Sequence, residues 1–336
     1  MQAAMTPAPL IPVAAGVTPA ERYLKRLCDH TFLSLWSYPS VFRDQGKQRP
    51  NQQGKELCDL LVVFENHVII FSDKACAFPD SDDVLRDWQR WFRKAVEQSA
   101  KQIWGAERWI RNYPSRLFLD RACGHPFPIP LPNPDRIQFH RIVVAHNSVT
   151  HCRRYFGSGS GTLMLNTGIV GREHYDEPFQ IGRLDALKGY IHVLDDVTLE
   201  MLLRELDTVS DFTQYLDRKE SFLQERPVTV AAGEEELLAV YLQKLDGEGN
   251  HNFVLPVEDS EEEFNFISFE EGFWDAFQRN PQRLARIEAA QVPVILHAPA
   301  ARATLEHMAV MQKSVEHRRD RGRIAEQLAP VLHRPV

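Results

Sequence analysis

Over residues 18–35 the apolar positions Tyr23, Leu24, Leu27, Cys28, Thr31, Phe32 and Leu35 recur at helical spacing, which predicts one helix with a buried face. Thr18, Pro19 and Glu21 form its start signal. Thr18 can cap, Pro19 suits the first helical position, and Glu21 completes a capping box. Residues 43–55, polar and rich in Gly, Gln and Asn, predict a loop. Two apolar runs follow, residues 57–64 (LCDLLVVF) and 68–71 (VIIF), parted by Glu65, Asn66 and His67; they predict a β-hairpin. The runs are apolar at successive positions instead of alternating ones. They predict a sheet covered on both faces, as in α/β architectures.

Residues 80–112 predict a long helical stretch whose apolar positions include Trp88, Trp91, Phe92, Ile103 and Ile110. Five prolines in residues 123–136 predict an extended connector, and residues 137–145 (IQFHRIVVA) another strand. GSGSG at 157–161 reads as a flexible link, with a further strand over 162–170. Past residue 191 the texture turns helical, at 198–223, 234–245, 270–290 and 302–332. The expected organisation is a flexible arm (1–16), an α/β domain (17–190) with a mixed central sheet flanked by helices, and a mostly helical C-terminal region (191–336).

Composition narrows the class. The 336 residues are 43% hydrophobic and 25% charged, which excludes disorder over most of the chain. No apolar run reaches ~18 residues, so no membrane span is expected. The first sixteen residues carry no Lys or Arg, which argues against a secretory signal. Five cysteines without a CxxC spacing fit reduced thiols in a cytoplasmic protein with no zinc knuckle. A net charge of −7 argues against non-specific coating of nucleic acid. Residues 86–116 nevertheless gather Arg86, Arg90, Arg93, Lys94, Lys101, Arg108, Arg111 and Arg116 against Asp87, Glu97 and Glu107.

The chemistry concentrates in residues 54–74, GKELCDLLVVFENHVIIFSDK. Asp59 sits inside an apolar strand and Lys74 ends the next one. A charge there is expensive unless it is paired, hydrogen-bonded or bound to a metal. With a two-residue turn at Glu65-Asn66, Asp59 pairs Ser72; with a turn at Asn66-His67 it faces Lys74. In both registers Asp59, Ser72 and Lys74 share a face, whereas a three-residue turn would set Asp59 opposite Asp73. An acid and a lysine presented to one point suit phosphodiester cleavage: the acid holds a divalent cation and the lysine orients water near the phosphate.

A helix glutamate, a strand Asp, a hairpin ending in xxK and then a long helix resemble the PD-(D/E)XK nuclease superfamily, in particular its members with a nuclease-related domain. The resemblance covers roughly residues 18–150. It implies a restriction-endonuclease-like fold and a Mg²⁺- or Mn²⁺-dependent nuclease acting on nucleic acid, DNA first, with bacterial defence as one setting. It makes Glu21 the first-helix acid, Asp59 the central metal ligand, Lys74 the catalytic lysine and Gln98 or Gln102 the auxiliary glutamine. The chain departs from the pattern at Ser72, where the family carries an acid, and serine is a poor ligand for Mg²⁺. Asp73 is adjacent but points to the other face of a regular strand, so it serves as a ligand only through a bulge or the strand's end; otherwise it caps the following turn. Glu97 and Glu56 are the other carboxylates that can replace the missing one. If none does, the domain is a catalytically degenerate module for nucleic-acid binding or assembly. A homodimer or protein contact falls to the C-terminal region, where residues 264–274 (FNFISFEEGFW) are aromatic and acidic.

His140, His146 and His151 match no closed zinc spacing. Cys152 beside His151 is not expected to be a thiol dyad, since catalytic partners meet across a fold rather than along a chain.

Overall fold

A computed structural model describes residues 18–32, 36–45, 53–157, 159–206, 208–225, 228–253 and 267–279. The expected N-terminal arm and the helix expected over 302–332 lie outside the described residues. The chain divides into one unit of residues 1–254 with 259–289 and another of 255–258 with 290–336; the latter also lies outside them.

The elements run α1 (Pro19–Phe32), β1 (Ser37–Arg43), β2 (Lys55–Phe64), β3 (His67–Lys74), α2 (Val84–Phe92), α3 (Gln98–Asn112), β4 (Leu117–Phe118), β5 (Gln138–Ala145), α4 (Val149–Phe156), β6 (Met164–Val170), β7 (Gln180–Arg183), β8 (His192–Leu194), α5 (Asp196–Glu205), α6 (Val209–Glu225), β9 (Thr229–Ala231), α7 (Glu234–Gln243), β10 (Ile267–Phe269) and α8 (Phe273–Arg279). A π-helical turn, Arg93–Glu97, joins α2 to α3.

A mixed six-stranded sheet has the order β4-β1-β2-β3-β5-β8. β4, β1, β2 and β3 pair antiparallel in turn, while β3, β5 and β8 are parallel. A second sheet has the order β10-β9-β6-β7. The first is covered on both faces, which is why β2 and β3 read as continuous apolar runs. Leu61, Val63, Val68 and Ile70 share one core with Trp88, Trp91, Val96 and Ile103 of the α2–α3 stretch. On the other side α1 packs on β1, β2 and β3, and α5 on β5 and β8.

β1 has no counterpart in the apolar pattern because it contains Pro39 and Ser40. β4 pairs only Phe42 and Arg43, so Pro39 falls where β1 is an edge and no donor is needed on that side. Residue 190 marks no break in the first sheet: β8, past it, pairs β5. β9 and β10 likewise place strands in a region expected to be mostly helical. Strands of three residues are too short to leave a periodic signature. No helix among the described residues is long and apolar enough to cross a membrane.

Candidate active site

The β2–β3 turn is Glu65-Asn66, with Phe64 opposite His67 and Leu60 opposite Phe71. Asp59 therefore lies across from Ser72, the first of the registers considered above. Its Oδ2 accepts the Ser72 hydroxyl at 3.1 Å and the Asp73 backbone N–H at 2.6 Å. Asp59 is 4% exposed. Burial raises its pKa above the ordinary carboxyl value, against the pull of Lys74 and of those two hydrogen bonds. Lys74 acts on Asp59 through space; no direct ion pair forms among the described residues.

Ser72 Oγ also lies 3.4 Å from the Gln102 amide. A serine has one proton to give. The Gln102 atom facing it is the amide oxygen, also an acceptor, so the proton goes to Asp59, the nearer of the two. Ser72 thus donates to the carboxylate of Asp59 across the hairpin.

A bulge adjoins another carboxylate. Val41 pairs Cys58 but Phe42 pairs Glu56, so β2 carries one extra residue, Leu57, against β1. On a regular strand residues 56 and 59 would point to opposite faces; the extra residue interrupts that alternation between them. Burial, with the charges of Asp59 and Glu21, pushes the Glu56 carboxyl up to about 6, against Lys74 and Arg121. The charges of Asp59, Glu21 and Lys74 thus all act on Glu56.

Thr18 caps α1, as expected, and the Glu21 side chain reaches β1. The Glu21 backbone N–H donates to Thr18 Oγ1 at 3.1 Å, the helix cap, and its carboxylate accepts from Ser40 Oγ at 3.2 Å. Ser40 is buried with φ 51°, a left-handed conformation unusual for a non-glycine residue in a strand. Gly54 meets a close approach: its N–H donates to Arg121 O at 2.7 Å, and a Cβ there would lie 2.6 Å from Cys123 Sγ. The missing side chain lets the loop carrying Arg121 lie over the start of β2.

Other candidates go elsewhere. Asp73 points to the opposite face, where Oδ1 meets His146 Nε2 at 2.6 Å, so it neither joins Asp59 as a ligand nor caps a turn. Gln98 is exposed, and Gln102, one turn on, is the glutamine that reaches Ser72. Glu97 bonds Tyr175 and pairs Lys101. Trp88 and Trp91 are core residues. Of the basic face, Arg86, Lys101, Arg111 and Arg116 are each paired with an acid. Arg90, Arg93, Lys94 and Arg108 are exposed. His151 stacks on Phe78, while Cys152 donates to Thr162 O and is pushed up to about 12 by burial, so the two form no thiol dyad.

The Asp73–His146 pair carries a pH signature. Burial works to lower His146, but the hydrogen bond and charge of Asp73, helped by Asp196 and Asp195, outweigh it and raise its pKa. Its stabilisation is present in full below the ordinary histidine value of 6.5 and is lost as pH rises through the raised folded value. His146→Ala is expected to lose about 1–3 kcal/mol below that window and to flatten the pH dependence across it, read by urea unfolding.

No family model, curated protein or solved structure matches the chain. The reading of the site therefore rests on its geometry.

Proposed function

We propose that the chain is a metal-dependent nuclease of restriction-endonuclease type, hydrolysing phosphodiester bonds of nucleic acid, DNA first. The supporting order is an acid on α1, an acid on β2, a lysine ending β3, a long helix and the parallel strand β5. The observation that carries the reading is a buried strand carboxylate, Asp59, that accepts from the Ser72 hydroxyl and the Asp73 backbone N–H and lies close enough to Lys74 and Glu56 to interact through charge. Burial raises the Asp59 and Glu56 carboxyls, a divalent cation would favour their charged forms, and Mg²⁺ needs only one or two carboxylates because it keeps several waters.

Asp59 with Glu56 or Glu21 would hold Mg²⁺ or Mn²⁺, with water completing the shell, since the three carboxylates do not close to within 4.8 Å of one another. A bound ion of this class lowers the pKa of water and neutralises charge on a phosphoryl oxygen. The Ser72 hydroxyl and the Asp73 backbone N–H fix the Asp59 carboxylate. Lys74 stabilises charge on the scissile phosphate and positions the attacking water. The exposed Arg90, Arg93, Lys94 and Arg108 suit contact with the nucleic-acid backbone.

Ser72 favours one other reading, a nuclease fold retained for binding or assembly without cleavage. Titration of Mn²⁺ into the wild type and Asp59→Ala, with and without DNA, separates the two. Binding by the wild type that is lost in the variant, together with Mn²⁺-dependent cleavage in a panel of DNA and RNA substrates, is the expected result. No binding to either protein, with or without DNA, overturns the nuclease reading.

A further inference from the structure

His67 and His140 lie at the end of the first sheet away from Lys74. His67 opens β3, about 23 Å of strand before Lys74 at ~3.3 Å per residue. It pairs Gln138, and His140 pairs Ile69, so both histidines point to the same face. Their rings stack with centroids 5.2 Å apart, and His67 Nδ1 lies 2.9 Å from His140 Nε2. Asp217 on α6 faces them, with Oδ1 3.7 Å from His140 Nδ1. That distance is too long for a hydrogen bond, so the carboxylate approaches the imidazoles without being bonded to His140. One donor atom from each residue lies within 4.8 Å of the other two; no other three His, Cys, Asp or Glu among the described residues come so close together.

We propose that His67, His140 and Asp217 form a second metal site, distinct from the Asp59 cluster, that binds one Zn²⁺-class ion and ties α6 to β3 and β5. Two imidazoles and a carboxylate are a zinc ligand set with a fourth position open to water. Nitrogen donors favour Zn²⁺ over Mg²⁺, whereas the all-oxygen cluster at the other end favours the reverse. In a tetrahedral zinc site ligand atoms stand about 3.3 Å apart, so the imidazole nitrogens need to part by only a few tenths of an ångström. The side chain of His140 is 2% exposed and that of Asp217 46%, so the site has a buried wall and an open side. Burial, aided by His67 and Arg141, holds His140 down at about 3, and burial also lowers His67. Burial thus favours the neutral form of both imidazoles, the form that ligates, and an ion would replace the proton they share.

The test uses the full chain stripped by a chelator and titrated with Co²⁺ and Zn²⁺. The wild type is expected to bind one Co²⁺ with the d–d absorption of a four- or five-coordinate nitrogen–oxygen site, and Zn²⁺ should displace it. Zn²⁺ at a hundredfold excess over Kd should raise the unfolding midpoint by roughly 5 °C. Asp217→Ala, at a half-exposed position that leaves the fold intact, should weaken Zn²⁺ binding at least tenfold, as should His67→Gln. Asp59→Ala should leave it unchanged. Absence of Co²⁺ absorption, bands of thiolate-to-cobalt charge transfer, or binding unaltered in both site variants would overturn the proposal. In those cases the histidine pair is a metal-free hydrogen bond.

Discussion

Lys74→Ala is expected to slow Mn²⁺-dependent phosphodiester cleavage about a thousandfold while leaving Mn²⁺ affinity within a few-fold of wild type. Lys74 is half-buried at the end of β3 and acts on Asp59 and Glu56 only through space. Its removal opens no cavity in the core, so the unfolding midpoint should move little. A lysine that merely neutralised the acids would behave differently. Without it the carboxylates would repel more strongly, Mn²⁺ would bind more tightly, and the rate loss would be small. Asp59→Asn supplies the contrast. It keeps an acceptor for the Ser72 hydroxyl and the Asp73 N–H but removes the charge, so both affinity and cleavage should fall. Mn²⁺ titration and single-turnover cleavage on the same preparations give the two numbers for each variant. Equal loss of affinity in both variants, or unchanged cleavage in Lys74→Ala, would remove Lys74 from the chemistry.

The Asp59–Ser72 pairing was legible because side chains alternate with period two and the turn was short. Acid, serine and lysine could be placed on one face from spacing alone. The third carboxylate was not legible in that way. Glu56 stands three residues before Asp59, which on a regular strand is the wrong parity. The extra Leu57 against β1 interrupts that parity, and nothing in the letters KELCD marks a bulge. β1 itself was hidden by Pro39 and Ser40, the residues that a strand pattern is taken to exclude. The histidines show the same limit. Reading neighbours along the chain grouped His140 with His146 and His151, but the structure groups it with His67 and Asp217. They are 73 and 77 residues away, brought in by a parallel strand pair and a helix on its face. Long-range pairing of this kind leaves no local motif, and the short β8, β9 and β10 leave no periodic one.

Past residue 190 the largest expected effect is on stability: Lys219→Ala should cost roughly 3–5 kcal/mol. The Lys219 ammonium on α6 pairs the Glu234 carboxylate on α7, with side chains 1% and 6% exposed. Tyr215 Oη donates to the other Glu234 oxygen at 2.6 Å. Losing the lysine leaves a carboxylate buried with one neutral donor, which is far worse than losing both charges together. Lys219→Met with Glu234→Gln should therefore recover much of the deficit, because the amide still accepts from Tyr215 and no lone charge is buried. The non-additivity of that cycle, read by urea unfolding, is the measure of the pair. The shape of the transition carries a second result. α5 packs on β5 and β8, and β8 extends the sheet that holds Asp59, so Lys219→Ala should shift one cooperative transition as a whole. An early separate transition that leaves Mn²⁺ binding intact would mean instead that the helices beyond residue 190 unfold apart from the sheet. Because Asp217 lies two residues before Lys219 on α6, that outcome should also abolish Zn²⁺ binding at His67 and His140 at the denaturant concentration where α6 is lost.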